Sequence, residues 1–195
     1  MKPLPELEDE EDRELLRASG TGDHEAFRQL VEEYQRKVFQ ICLGFLREFR
    51  DAEDLTQEVF FQIYKNSGQF QGKSKISTWI YRIAANRSMN RLRHRRVRAW
   101  LQYDGGASCS PDPASQGENP DALLERRERQ EIVRRALQRL PASQRLAFIL
   151  HSVEGISHGE IARIAGCSIS AVEARIHRAR LNLRKHLVHL AQKGC

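Results

Sequence analysis

Between Glu154 and Lys185 the chain reads EGISHGEIARIAGCSISAVEARIHRARLNLRK, two short helical patterns around one tight turn. Ser157-His158-Gly159-Glu160 has the S-x-x-E spacing of a capping box, in which a hydroxyl and a carboxylate satisfy two backbone N–H groups left open at a helix start. Ile161, Ile164 and Ala165 follow at helical spacing. Ala165-Gly166-Cys167-Ser168 then breaks the pattern, with Gly166 supplying a permissive backbone. Ser170-Ala171-Val172-Glu173 repeats the capping-box spacing, and Val172, Ile176, Ala179 and Leu183 form one apolar stripe. Two helices at this spacing predict a helix-turn-helix whose second helix enters a DNA major groove.

At about 100° per residue, Glu173, Ala174, His177, Arg178 and Leu181 point away from that stripe. Arg175, Arg180, Arg184 and Lys185 flank them. Side chains near a helix start, ringed by arginines, suit DNA docking, because base contacts specify and phosphate contacts position. An ordinary amphipathic helix with a solvated basic face gives the same pattern, so this segment alone leaves both readings open.

Charge distribution widens the argument. The 195 residues suit one large domain or two small ones, and the net charge is +6. Residues 69–101 carry +9 with no acid, whereas 102–125 carry −5 and 153–195 carry +4. Two basic regions separated by an acidic one suggest a polyanion gripped at two places. No apolar run approaches membrane-spanning length, and the acidic start lacks a signal-peptide pattern, so a cytoplasmic protein is expected. Cys42, Cys109, Cys167 and Cys195 lie far apart without a C-x-x-C pair, which predicts thiols, buried at Cys42 and Cys167, over disulfides or zinc ligands.

Residues 1–22 read as an acidic, solvated and partly frayed lead-in, with seven acids between positions 6 and 14. From Asp23 a helix is expected, with Ala26, Leu30, Tyr34, Val38, Ile41 and Phe45 among its apolar positions. The next helix, Asp51 to Asn66, turns Ala52, Leu55, Val59 and Ile63 inward and Asp54, Gln57, Phe61 and Tyr64 outward. Aromatics on a polar face suit a protein–protein contact, although packing on both sides would also place them there. Residues 67–74 read as a loop containing Phe70. A helix from Lys75 to about Arg96 follows, with Lys75, Thr78, Arg82, Asn86, Met89 and Arg93 outward. Cations, amides and nearby aromatics (Phe70, Trp79, Tyr81) are the mixture that holds unpaired bases, though Trp79 could equally serve the core. Residues 102–121, rich in Pro, Gly and acids, read as a flexible linker. Helices from Ala122 to Leu140 and from Ala142 to Val153 complete a second module.

At these residues a resemblance becomes plain. DAEDLTQEVF (51–60), STWIYRIAAN (77–86), EGISHGEIA (154–162) and RIHRAR (175–180) resemble signature segments of bacterial extracytoplasmic-function (ECF) sigma factors of the RpoE type, in the right order. The resemblance implies an all-α protein with two small helical domains joined by a flexible acidic linker. Region two is expected over 23–98, the linker over 99–121 and region four over 122–190. It implies recruitment of core RNA polymerase to promoters, melting of DNA for transcription initiation, and a place in stress response. Asp51, Asp54, Gln57, Glu58 and Phe61 would bind the clamp of the largest polymerase subunit. Phe70, Lys73, Lys75, Trp79, Arg82, Asn86, Asn90 and Arg93 would capture single-stranded bases of the minus-ten element. Ser170, Glu173, Ala174, Arg175, His177, Arg178, Arg180 and Arg184 would meet the duplex minus-thirty-five element, while the same module docks on the polymerase flap. An anti-sigma factor, often membrane-anchored in relatives, is an expected partner and would hold the protein near the inner membrane. No cofactor, metal, small-molecule substrate or covalent step is implied.

One departure stands out. The family commonly has a basic residue where this chain has Glu173, and a small hydroxyl or related residue where it has Ala174. Glu173 either closes a capping box with Ser170 or reads a base, a carboxylate favouring a cytosine amino group. A rival reading, an autonomous helix-turn-helix regulator, would explain 154–185 but leave the 51–96 constellation idle.

Overall fold

The computed structural model describes residues 5–46, 48–101, 129 and 131–193, and among them every regular element is a helix. The expected linker, and the beginning of the helix expected from Ala122, lie outside the described residues. No helix among the described residues is long and apolar enough to cross a membrane.

The first helix corrects an expectation. Residues Pro5–Gly20 form α1, which packs on the core instead of fraying. Acids near a helix N-terminus meet the positive end of its dipole, and here they are also paired along the helix. Arg13 lies 2.9 Å from Asp9. Leu16 is buried and anchors the helix, Tyr34 donates its hydroxyl hydrogen bond to Asp12, and Asp9 accepts the backbone N–H of Ile76 at 2.9 Å. The charge density of this segment concealed how little apolar surface it needed to dock.

α2 spans His24–Phe45, started by Asp23, whose side chain accepts from the N–H groups of Glu25 and Ala26. Its buried face carries Ala26, Leu30, Tyr34, Val38, Ile41, Cys42 and Phe45, as the periodicity predicts. α3 (Phe49–Lys65) buries Ala52, Leu55, Val59, Phe60 and Ile63. A single 3₁₀ turn at Ser67–Gln69 leads to α4, Ile76–Leu101. Ile76, Ile80, Ala84 and Ala85 of α4 are buried, and Ser88 points its hydroxyl at the buried Cys42 thiol 3.7 Å away.

In the second half α5 covers 131–138 and α6 covers Ala142–Phe148. The expected helix to Val153 changes character at Ile149, where a π-helical turn runs to Val153 and Glu154 N–H bonds to the Ile149 carbonyl at 3.2 Å. α7 (His158–Ala165) and α8 (Ile169–Lys193) follow. The capping box of α7 is present with both of its hydrogen bonds, and Gly166 ends the helix in the left-handed conformation at φ 60°. Val172, Ile176, Ala179 and Leu183 are buried, as their stripe predicts.

The two halves pack against each other, a feature that periodicity within single helices does not reveal. One apolar cluster joins Phe45, Leu46, Tyr81 and Ala84 to Leu146, Ile149, Leu150, Ile161 and Ile164. The approach is tight at Gly44: a methyl group there would lie 2.2 Å from Ile149 Cδ1. Beside it the fully buried Arg145 donates to the carbonyls of Gln138 and Leu140, and to that of Phe45 at 3.5 Å, with its guanidinium 5.6 Å from the centre of the Phe45 ring. The Gln138 and Phe45 carbonyls end α5 and α2, where a cation meets the negative end of each helix dipole.

Candidate nucleic-acid and polymerase interfaces

Steps of seven, eleven and eighteen residues return to nearly the same direction on an α-helix. Lys75, at the entrance to α4, and Arg82, Asn86 and Arg93 along it therefore form one line, with Asn90 beside it. Arg82, Asn86, Asn90 and Arg93 are exposed, as is Lys73 in the preceding loop. Phe70 and Trp79 are half-buried and tilted against each other, ring centres 5.5 Å apart. Trp79 thus packs on the core with one face while standing beside the cationic line. Thr78, expected outward, is buried at 2%. It lines a cleft with Asp9, Asp12, Tyr81, Glu154 and Glu160, because α1 and the second half cover that side of α4. Two members of the line are engaged across this seam: Arg82 donates to the Arg163 carbonyl at 2.8 Å, and the Lys75 ammonium lies 4.0 Å from Glu160.

On α3, Asp54 and Gln57 are exposed and Phe61 has 68% of its surface in solvent. An aromatic this open on a helix contributes little to its own core, which is how a contact anchor presents itself. Tyr64, expected on the same face, instead packs inside the first half between Phe27 and His24, ring centres 5.0 and 6.0 Å away. Asp51 and Glu58 lie toward α4, where Arg95 and Arg91 pair with them. These inter-helix partners leave no trace in the spacing of either helix. Pairs this exposed are worth roughly 0–1 kcal/mol, so they leave both carboxylates available to a competing cation.

On α8 the outward residues Glu173, His177, Arg178, Arg180 and Arg184 are exposed, with Ala174 half-buried. Arg175 is drawn back toward the turn, its guanidinium donating to the Cys167 sulfur at 3.2 Å. The expected Ser170–Glu173 capping box is absent. α8 begins at Ile169, and Ser168 Oγ accepts the Ala171 N–H at 3.2 Å and meets the Ser170 hydroxyl at 3.1 Å. The helix starts one residue after Ser168, so Glu173 falls beyond the third helical position that a capping box requires. Its carboxylate instead faces His158 of α7, with 3.6 Å between Oε1 and Nδ1. His158 in turn stacks at a tilt on His151, ring centres 4.6 Å apart. Among the described residues no cluster of histidine, cysteine or carboxylate side chains could hold a metal ion.

The chain thus presents a cationic, aromatic-backed line on one helix, an open aromatic on its neighbour and a helix-turn-helix with a basic outer face. The family model for sigma-70 region 2 matches residues 30–98, and that for sigma-70 region 4 matches residues 130–183. The chain is 32% identical to the RNA polymerase sigma-H factor of Pseudomonas aeruginosa over 195 residues, covering 96% of this chain and all of that one. It is 34% identical to the ECF RNA polymerase sigma-E factor of Escherichia coli over 179 residues, 87% of this chain and 90% of the relative. It is 31% identical to the ECF sigma factor SigW of Bacillus subtilis over 170 residues, 85% and 91% of the two chains. Among solved structures it resembles CnrH in complex with the cytosolic domain of CnrY, with a TM-score of 0.68 and 25% identity over 92% of this chain and 98% of that one. It also resembles RpoE bound to the anti-sigma factor NepR, from Bartonella quintana, with a TM-score of 0.66 and 25% identity over 83% and 96% of the chains. With both halves matched in order, and relatives aligned along nearly the whole length, the chain belongs to the extracytoplasmic-function sigma factors of RNA polymerase.

Proposed function

We propose that this sigma factor divides its work among the three faces described above. Asp54, Gln57 and Phe61 of α3, with Asp51 and Glu58 once released from their arginines, bind the polymerase clamp. Phe70, Lys73, Lys75, Trp79, Arg82, Asn86, Asn90 and Arg93 hold the unpaired strand of the minus-ten element. Extruding a base costs a few kcal/mol of unstacking, which stacking and side-chain amides must offset. Ser170, Glu173, Ala174, Arg175, His177, Arg178, Arg180 and Arg184 face the duplex minus-thirty-five element, while the second half docks on the polymerase flap. The process is strand separation driven by binding, with no covalent step and no cofactor. The observation that carries this reading is the line of exposed cations and amides on α4 backed by the Phe70–Trp79 pair.

The working compartment is the cytoplasm, where polymerase and promoter are. An anti-sigma factor is the expected antagonist, since the related RpoE structure is a complex with the anti-sigma factor NepR and the CnrH structure a complex with the cytosolic domain of CnrY. An open cleft of about 580 Å³ between Phe39, Leu43 and Phe49 on one side and Val133, Leu137 and Val153 on the other offers such a partner an apolar seat.

Run-off transcription with purified core polymerase over a promoter library tests the proposal. Transcripts should begin at defined positions only when the chain is present, and Phe61→Ala should weaken core binding by on the order of tenfold, the typical loss for an interface anchor. Tight binding of the isolated chain to duplex DNA, with no effect on polymerase, would favour the autonomous regulator instead.

A further inference from the structure

Arg178, Arg180 and Arg184 stand on the exposed side of α8, yet its second turn places a carboxylate on the same face. The geometry removes the structural reason for Glu173, since Ser168 performs the capping and Glu173 makes no bond to the helix start. Its side chain is 58% exposed, on the face shared by Ala174, His177 and Arg178. A lone carboxylate aimed at DNA meets phosphate repulsion everywhere except where a base offers it a proton donor. In the major groove the exocyclic amino group of cytosine is the donor that Glu and Asp side chains take. Ala174 alongside leaves space for close approach, its methyl adding no competing polar group.

Glu173 also has a neighbour that limits where it can point. His158 opens α7, whose start is held by the Ser157–Glu160 capping box, and its ring rests on His151. The imidazole Nδ1 lies 3.6 Å from the carboxylate Oε1. A glutamate has three rotatable bonds and would otherwise spread over many positions; an imidazole fixed by a neighbouring helix narrows that spread.

We propose that Glu173 selects a cytosine at one position of the duplex upstream element and that His158 is its positioning residue. This rests on the reading of α8 as the helix that enters the promoter. The consequence is an upstream element with a fixed cytosine opposite the second turn of α8.

The test uses the full chain with core polymerase and templates sharing one downstream element, their upstream element randomised, with transcripts sequenced. The wild type should favour cytosine at one position by on the order of ten- to a hundredfold, and Glu173→Ala should lose that preference alone. Replacing the cytosine by 2-pyrimidinone, which lacks the amino group, should cost the wild type the same factor and Glu173→Ala nothing. His158→Ala should keep cytosine as the favoured base with reduced discrimination, and His158→Gln should restore part of it. An unchanged motif in Glu173→Ala overturns the proposal. Equal loss at every upstream position in His158→Ala overturns the positioning role. No upstream preference in any protein, with transcription still directed by the downstream element, would show instead that α8 does not read this DNA.

Discussion

Glu154 sits at the seam between the halves, in the cleft it shares with Asp12, Tyr81 and Glu160. Burial pushes its carboxyl above the ordinary carboxylate value of 4.5, and Lys37 and Arg36 only partly oppose this. A raised folded-state value means that the native protein holds the proton more tightly than the unfolded chain does. Stability therefore falls as pH rises from the ordinary value through the raised one. Glu154→Gln should melt at a higher temperature than the wild type at neutral pH, and the advantage should vanish near pH 4; melts across that range check it. Asp51 and Glu58, by contrast, sit in ion pairs between α3 and α4. Their partners Arg95 and Arg91 are half-exposed, so Arg91→Ala should change stability by less than about 1 kcal/mol in denaturant titration, while freeing Glu58 for the proposed clamp contact.

At the scale of the helix, the start of α8 gives a clean contrast. Ser168→Ala removes the observed cap and should cost about 1 kcal/mol, whereas Ser170→Ala should cost a few tenths; denaturant titration of both separates them. The two serines also show where reading a chain stops. Capping-box spacing occurs at both 157–160 and 170–173, and the structure forms only the first. What decides is the residue at which the backbone first turns helical, and that depends on how the Gly166 turn delivers the chain. Apolar stripes were legible because burial repeats every three or four residues, so α2, α3 and α8 show the faces their sequences imply. Thr78 and Tyr64 were not, since each is covered by a segment distant in the chain. The exposed members of the α4 line were legible because cations and amides recur there at helical spacing, although Met89, expected outward among them, packs against the core.

For the whole molecule, the closed seam is the property that helical periodicity could not supply, because it depends on shape match between two stripes. Gly44 is a sensitive point of that seam. Within α2 an alanine would be the better helix former by about 1 kcal/mol, so Gly44→Ala should leave the first half at least as stable. Its methyl would nonetheless collide with the buried Ile149 and push the halves apart. Small-angle scattering should report a larger radius of gyration for this variant, and the release of Arg82 and Lys75 should raise capture of single-stranded minus-ten DNA; equal dimensions would contradict the steric argument. The hydrogen bond from Ile76 N–H to Asp9 reaches further than its size suggests. It ties the acid-rich opening helix to the first turn of the helix carrying Trp79 and Arg82, so shortening the protein to begin at His24 would leave that turn without its stopper. Anyone trimming the chain for crystallisation would then be studying a loosened edge of α4, with α3 and its open Phe61 still intact.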